Sequence, residues 1–427
     1  MNDGHPADRA RTRRTKDGEI MEEPRRTPAS RLVLRILLFL VLLAAILGLL
    51  LMALTGADPA QIRNGGLPAF WNQVTASLSE EAPRQQVVAD LTGVEGETAM
   101  AILNENLLLC TTGELRCLDA EGTEQWVKPV DLTSPMLSVQ GRDVLYADLA
   151  GNGWGIVRDG AGFFEKQAEH PLRNAFLSRD YALLLEKGGE AGYSAILEGL
   201  SREGAPVFTS YITDYTPFLV RHDPETGQNA LVLSGLSTAD LQAGGAVEFL
   251  SPDMTRLGGV TADDDLYASV LQLANGSTAL VGAQSVKLVD REFLAVGEYD
   301  PEGNPITAAA LLDGASPVVA VLDGKRYDTT RQEKSWVRVL DATGRMQREF
   351  VVEGRVHRLI GAPDCIGVQT GQGVQFFDAA GAEITAFHAK ASVQNAVLTS
   401  KGLAYIQADG AVTALRVKER KRFLGLF

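Results

Sequence analysis

Three consecutive aspartates, Asp263-Asp264-Asp265, are the densest set of hard oxygen ligands in this chain of 427 residues. Carboxylates gathered on one loop are what calcium takes. The alternating ligand spacing and central glycine of a calcium loop are missing here, so a solvated turn explains the run more simply. Asp148-Leu149-Ala150-Gly151-Asn152-Gly153 reads as a turn on the same grounds. The five histidines, His5, His170, His222, His357 and His388, are scattered without HExxH or ligand spacing, which argues against zinc. No GxSxG elbow occurs, and the glycine-rich stretches lack the strand-to-helix setting of a phosphate loop. No catalytic, metal-binding or cofactor-binding residue is therefore nominated.

Cys110 and Cys117 flank the segment CTTGELRC, which reads as a β-hairpin turning at Thr112-Gly113. In that register Cys110 faces Leu115 and Cys117 faces Leu108. The sulfurs then share a face but sit diagonally, which disfavours a disulfide. Buried free thiols are expected, with Cys365 as a third.

One apolar run dominates the rest. Leu32 to Leu54 is interrupted only by Arg35, and as a helix it covers about 30 Å or more, the thickness of a bilayer core. It is longer than a signal-peptide core and its leader is extended, which favours an uncleaved anchor. Arg25, Arg26, Arg31 and Arg35 crowd its N-terminal flank, whereas the next basic residues after Leu54 are Arg63 and Arg84. The positive-inside rule puts the N-terminus in the cytoplasm and the larger part outside. Residues 1–31 form a disordered basic leader, 32–54 the transmembrane helix, and 55–83 a tether.

The net charge is −14, and removing the nine bases and six acids of the first 35 residues leaves −17 for the remainder. Such an acidic domain argues against nucleic acid as a partner, because phosphate binding needs concentrated Lys and Arg.

From Val87 onward, apolar or alternating runs of five to eight residues recur between Gly, Asp and Asn turns, the all-β signature. Examples are Asn106–Thr111, Val144–Asp148, Tyr181–Glu186, Ala230–Ser234 and Ser277–Gly282. A strand ending in an apolar-Asp pair is repeatedly followed by a D-x-x-G turn. The clear copies are Asp119–Gly122, Asp300–Gly303, Asp341–Gly344 and Asp378–Gly381; weaker ones lie at Asp159–Gly162, Ser201–Gly204 and Ser251–Met254. The final residues of these turns lie 37 to 50 apart. A unit near 40 residues with four short strands is what a propeller blade requires, and tandem sandwiches give no reason for the repeat. Third strands fall near Leu118, Ile156, Leu197, Phe249, Val296, Val339, Phe376 and Leu415. This favours eight blades over seven, across residues 84–417. The last segment is one strand short, and Gln85–Leu91 lacks partners, so pairing it with Val412–Val417 closes the ring. Lys325–Lys334 reads as an inserted polar loop, and Asn275-Gly276 as a type I′ hairpin turn.

The stretch from Leu118-Asp119 through Gly122 to Trp126 resembles the blade motif of pyrroloquinoline-quinone-like propellers. The other turns resemble it without the tryptophan, with Pro206, Ile306, Met346 or Ile384 nearby instead. The plan of basic leader, anchor helix and WD40-like ring looks like a family of uncharacterised bacterial membrane-anchored propellers. The resemblance covers residues 85–417 and implies the fold rather than an activity. A quinone-dependent dehydrogenase would show a vicinal cysteine pair, which is absent from the sequence.

Two flanking segments are candidate membrane-surface contacts. Leu67–Leu78 suits a short helix with Phe70, Trp71, Val74 and Leu78 on one face, lying on the bilayer or docked on the ring; a disordered tether is the third reading. The C-terminal tail, residues 418–427, carries Lys418, Arg420, Lys421, Arg422 and Phe423, a set suited to anionic lipid or an integral-membrane partner. The sequence thus points to an all-β, membrane-anchored, extracytoplasmic propeller that is a non-catalytic binding or scaffolding module. Its expected partners are the bilayer and an unidentified envelope or membrane protein. The alternative is an envelope enzyme with carboxylates converging at the central channel.

Overall fold

The computed structural model describes residues 85–149, 151–189, 192–222, 230–237, 243–324 and 333–417. The chain divides into two units, Met1–Ala82 and Pro83–Phe427, and only the second contains described residues. The anchor bounded by Leu32 and Leu54, with Arg35, the tether with Trp71, most of the loop after Gly324 and the tail from Lys418 to Phe427 lie outside them. Among the described residues no helix is long and apolar enough to cross a membrane.

Eight four-stranded antiparallel sheets follow one another along the chain. In seven of them the strands pair in sequence order. The inner strands are Ala99–Leu103, Pro135–Gln140, Leu172–Leu177, Thr216–His222, Ser269–Gln272, Ile306–Leu312, Val356–Ala362 and Asn395–Leu398. Blade eight takes its outer strand from the other end of the chain: Gln85–Asp90 pairs antiparallel with Ala411–Arg416, Gln85 opposite Leu415 and Asp90 opposite Ala411. The ring is an eight-bladed β-propeller closed as its two ends predict.

The core lies between blades rather than within them. Eight apolar clusters fill the eight gaps between neighbours. The gap between blades eight and one joins Val88, Val397 and Tyr405 to Met100, Leu107 and Leu118. Each second strand is covered on both faces, so Leu107–Cys110 and Leu183–Leu185 are buried throughout. Seam hydrogen bonds join residues about three hundred positions apart. Thr98 Oγ1 donates to Gln407 Oε1 at 2.7 Å, and the Lys401 amide donates to Glu105 at 3.2 Å.

The turn between third and outer strands is one device reused. In blade one the Asp119 carboxylate accepts the amides of Glu121 at 3.0 Å and Thr123 at 2.8 Å. Asp290, Asp341 and Asp378 do the same two and four residues on. The closing residue takes a positive φ: 82° at Gly122, 83° at Gly344 and 85° at Gly381. The turn of blade five is therefore Asp290–Phe293, with Phe293 at φ 63°, and not Asp300–Gly303. Asp300–Gly303 lies instead in the connector between blades five and six, where Asp300 accepts the Glu302 amide and both Glu302 and Gly303 take a positive φ, 59° and 77°. Consequently Val296 lies on the outer strand Ala295–Tyr299, and the third strand of blade five is Val286–Val289. At Asn275-Gly276 only the glycine has a positive φ, 82°, whereas a type I′ turn requires it of both central residues.

These turns lean on the preceding blade. A Cβ added to Gly160 would lie 2.6 Å from Cγ of Trp126 on the outer strand of blade one. Phe164 covers Gly204 and Phe350 covers Gly381 in the same relation. The aromatic residue of one blade's outer strand thus rests on the next blade's turn glycine.

Candidate functional site

The antiparallel order gives the ring two faces. One carries the connectors between blades with the turns joining second and third strands; the other carries the remaining turns. On the connector face, carboxylate and amide side chains tie connector to turn. Asp265 is buried and its carboxylate accepts the amides of Leu266, Ala283, Gln284 and Ser285 at 2.7–3.0 Å. Asp148 accepts from Thr133 and Ser134, Glu186 from His170, Asn304 from Gly324, and Asp409 from Lys390 and Ala391. The acidic run Asp263-Asp264-Asp265 is thus a structural turn whose third carboxylate is committed to backbone donors. Among the described residues no three His, Cys, Asp or Glu side chains gather as metal ligands.

Cys110 pairs with Leu115 and Cys117 with Leu108, the register read from the sequence. Both thiols are free and buried. Burial pushes the Cys110 thiol up to about 12 and Cys117 up to about 11, so neither is a nucleophile at neutral pH. Ser178 and His222 also meet in the interior, with His222 Nδ1 2.9 Å from Ser178 Oγ. That hydroxyl already closes its own turn, accepting the amides of Asp180 and Tyr181, and is not available for nucleophilic attack.

The axial wall is the part of the molecule that departs from the acidic background. No Asp or Glu stands on any of the eight inner strands, which instead carry Arg173, Arg221, Arg358, His222 and His357. The carboxylate-lined channel of the enzyme reading lacks its carboxylates there. Arg173 and His357 occupy one-residue bulges near the connector end of their strands, where the ladder register shifts. Arg173 Nη1 donates across to Pro217 O of the next blade at 3.3 Å. Arg358 Nη1 donates across to Asn395 Oδ1 of the next blade. Arg221 lies over the Phe176 ring, 5.0 Å from its centroid, and donates to Val220 O at 2.8 Å. None of the three forms an ion pair with a carboxylate among the described residues. Partial withdrawal from water lowers the pKa of all three, Arg221 to about 10. Arg358 nonetheless keeps contact with solvent, as a side chain on a channel wall does.

Two clefts open on the connector face. One of about 400 Å³ lies at the ring seam between Leu91, Glu97, Thr98, Asn395, Gln407 and Gly410. The other, about 680 Å³, lies between Gln284, Glu298, Asp300 and Asn304. Sequence reasoning named neither the clefts nor the axial arginines. The available signal was the first strand after each connector, which loses its acids and keeps its arginines.

No protein-family model and no curated protein matches the sequence. Similarity to solved structures is extensive at the level of fold. The C-terminal WD40 domain of Sif2 superposes with a TM-score of 0.58 at 9% identity, covering 78% of this chain and 99% of that one. Sqt1 of Saccharomyces cerevisiae gives 0.54 at 11% identity, covering 79% and 99%. The chain therefore has a WD40-like fold of eight blades.

Proposed function

We propose that this protein is a single-pass, membrane-anchored platform that displays its propeller outside the cytoplasm and binds a partner protein there. The apolar run Leu32–Leu54 and the arginines before it support the anchor and its orientation. The observation that carries the binding role is a run of exposed apolar side chains on the outer strands of four successive blades, three to six; Val87 of blade eight and Val127 of blade one are exposed as well. Val207 and Tyr211 are 52% and 56% exposed, Leu257 42%, Val296 48% and Val351 53%. Tyr211 also stacks on Tyr193, ring centroids 4.6 Å apart, beside the connector face. Exposed apolar surface carried on successive blades marks an interaction site, and tyrosines are favoured contact residues there. Each outer strand moreover leaves one backbone edge open to an added strand. The rigid ring holds this run and the connector loops in fixed register.

The test is a photo-crosslinking residue placed at Tyr211, at Val296, or at Glu121 on blade one, across the ring from blade five, in cells expressing the full chain. The reading predicts one adduct of defined mass from positions 211 and 296 and none from 121. No adduct at 211, or the same adduct from all three positions, contradicts it.

A further inference from the structure

The inner ring carries three guanidiniums and no carboxylate in a protein whose part after Arg35 has a net charge of −17. Arg173 and Arg221 are partly buried on these strands, and Arg358 keeps more contact with water. A charge retained there without a counterion costs free energy unless something compensates it. Each of these arginines makes one hydrogen bond to a neutral oxygen, out of five available donors. Arg358 is exposed, and no nitrogen of Arg173 or Arg221 is a buried atom without a partner, so the remaining N–H groups reach solvent. Their apolar neighbours on the inner strands, Phe176, Phe218, Leu271, Ala308 and Ile360, pack against the clusters between blades. Three cations on these strands, with no carboxylate on the same strands, favour positive potential in the channel despite the acidic exterior.

The placement suits a ligand with more than one charge. Arg173 and Arg358 stand near the connector end of blades three and seven, which face each other across an eight-membered ring. Arg221 lies further along the wall, on blade four, beside blade three's Phe176. The Asn395 amide that accepts from Arg358 also borders the 400 Å³ seam cleft, whose Thr98, Gln394 and Gln407 offer neutral hydrogen-bonding groups.

We propose that the axial channel is a binding site for a small multivalent oxyanion, held by the guanidiniums of Arg173, Arg221 and Arg358. Phosphate and carboxylate groups share the planar, bidentate chemistry that arginine recognises. The site is independent of the outer-strand run that carries the protein-binding role.

The experiment is isothermal titration of the purified full-length chain with tripolyphosphate in one arm and citrate in the other. Binding of at least one anion below millimolar concentration is expected, and the stronger arm identifies the group. Arg221→Gln and Arg358→Gln should each weaken it fivefold or more, while Arg348→Gln on an outer strand leaves it unchanged. Arg221→Lys and Arg358→Lys keep the charge and should give intermediate affinities, which covers the case in which a glutamine variant fails to fold. Absence of binding by the wild-type chain in both arms overturns the proposal. So does an equal loss in Arg348→Gln, which would mean diffuse attraction to surface charge.

Discussion

Asp143 of blade two accepts a salt bridge from Arg202 of blade three at 3.0 Å, and the same carboxylate holds Arg158 of its own blade at 2.7 Å. The carboxylate is 3% exposed, whereas the two guanidiniums keep partial access to water. Arg202 also donates to Ser178 O at 3.2 Å, so one buried acid organises three turns on the face opposite the connectors. The hydrogen bond from Arg158 is the main cause that holds the Asp143 carboxyl below its ordinary value. Removing one partner of a buried pair costs about 3–5 kcal/mol, and the solvent access of the arginines reduces this to about 2–3 kcal/mol for Asp143→Asn. The contribution is fully present above the unfolded pKa of about 3.9 and fades as pH falls through the lowered folded value. Urea unfolding from pH 7 to pH 3 should therefore show the variant's deficit shrinking below about pH 4. A deficit that stays constant to pH 3 contradicts this assignment.

The packing of Trp126 on Gly160 makes a graded prediction about glycine. Gly160 has φ 81° and no room for a Cβ, whereas Gly303 has φ 77° and nothing within 4 Å. Backbone strain alone costs about 1 kcal/mol, and the clash with the indole adds a comparable amount. Gly160→Ala should lower stability by about 2–3 kcal/mol and Gly303→Ala by about 1 kcal/mol in matched denaturant curves. Equal costs would show that the indole yields.

Ring closure can be locked covalently. Val87 stands opposite Thr413 across the seam. Directly opposed residues in an antiparallel pair lie within disulfide reach. Val87→Cys with Thr413→Cys should oxidise to a crosslinked form that unfolds at higher denaturant than its reduced form. Val87→Cys with Arg416→Cys, three residues out of register, should not crosslink. Crosslinking of the second pair in place of the first would put the seam in another register.

The native thiols report on unfolding. With Cys110 and Cys117 buried and their pKa values raised, alkylation by iodoacetamide should follow global opening of the ring. Rapid modification of the folded chain at pH 8 would contradict the burial.

Much of the ring is legible in the sequence because its second strands are covered on both faces. Segments such as Leu107–Cys110 and Leu183–Leu185 read as continuous apolar runs for that reason. The Asp-x-x-Gly turns are legible because the aspartate must satisfy two amides and the glycine must turn left-handed. Blade five misleads on the same logic. Phe293 takes the left-handed position normally given to glycine, while Asp300–Gly303 has the expected letters in a connector. The axial arginines are invisible locally, since radial position depends on which strand of four a segment becomes. Outer strands alternate, as in Pro206–Ile212, and that alternation shows which side chains face out but not that they fall on successive blades.

The functional reading depends on the propeller standing outside the cytoplasm, and the buried native thiols make this measurable with a membrane-impermeant maleimide. Glu121→Cys places a reactive thiol on an exposed turn of blade one, and Asp17→Cys places one in the basic leader. In intact cells the account predicts labelling at position 121 and none at position 17 until the membrane is permeabilised. Labelling at 17 with protection at 121 would contradict it.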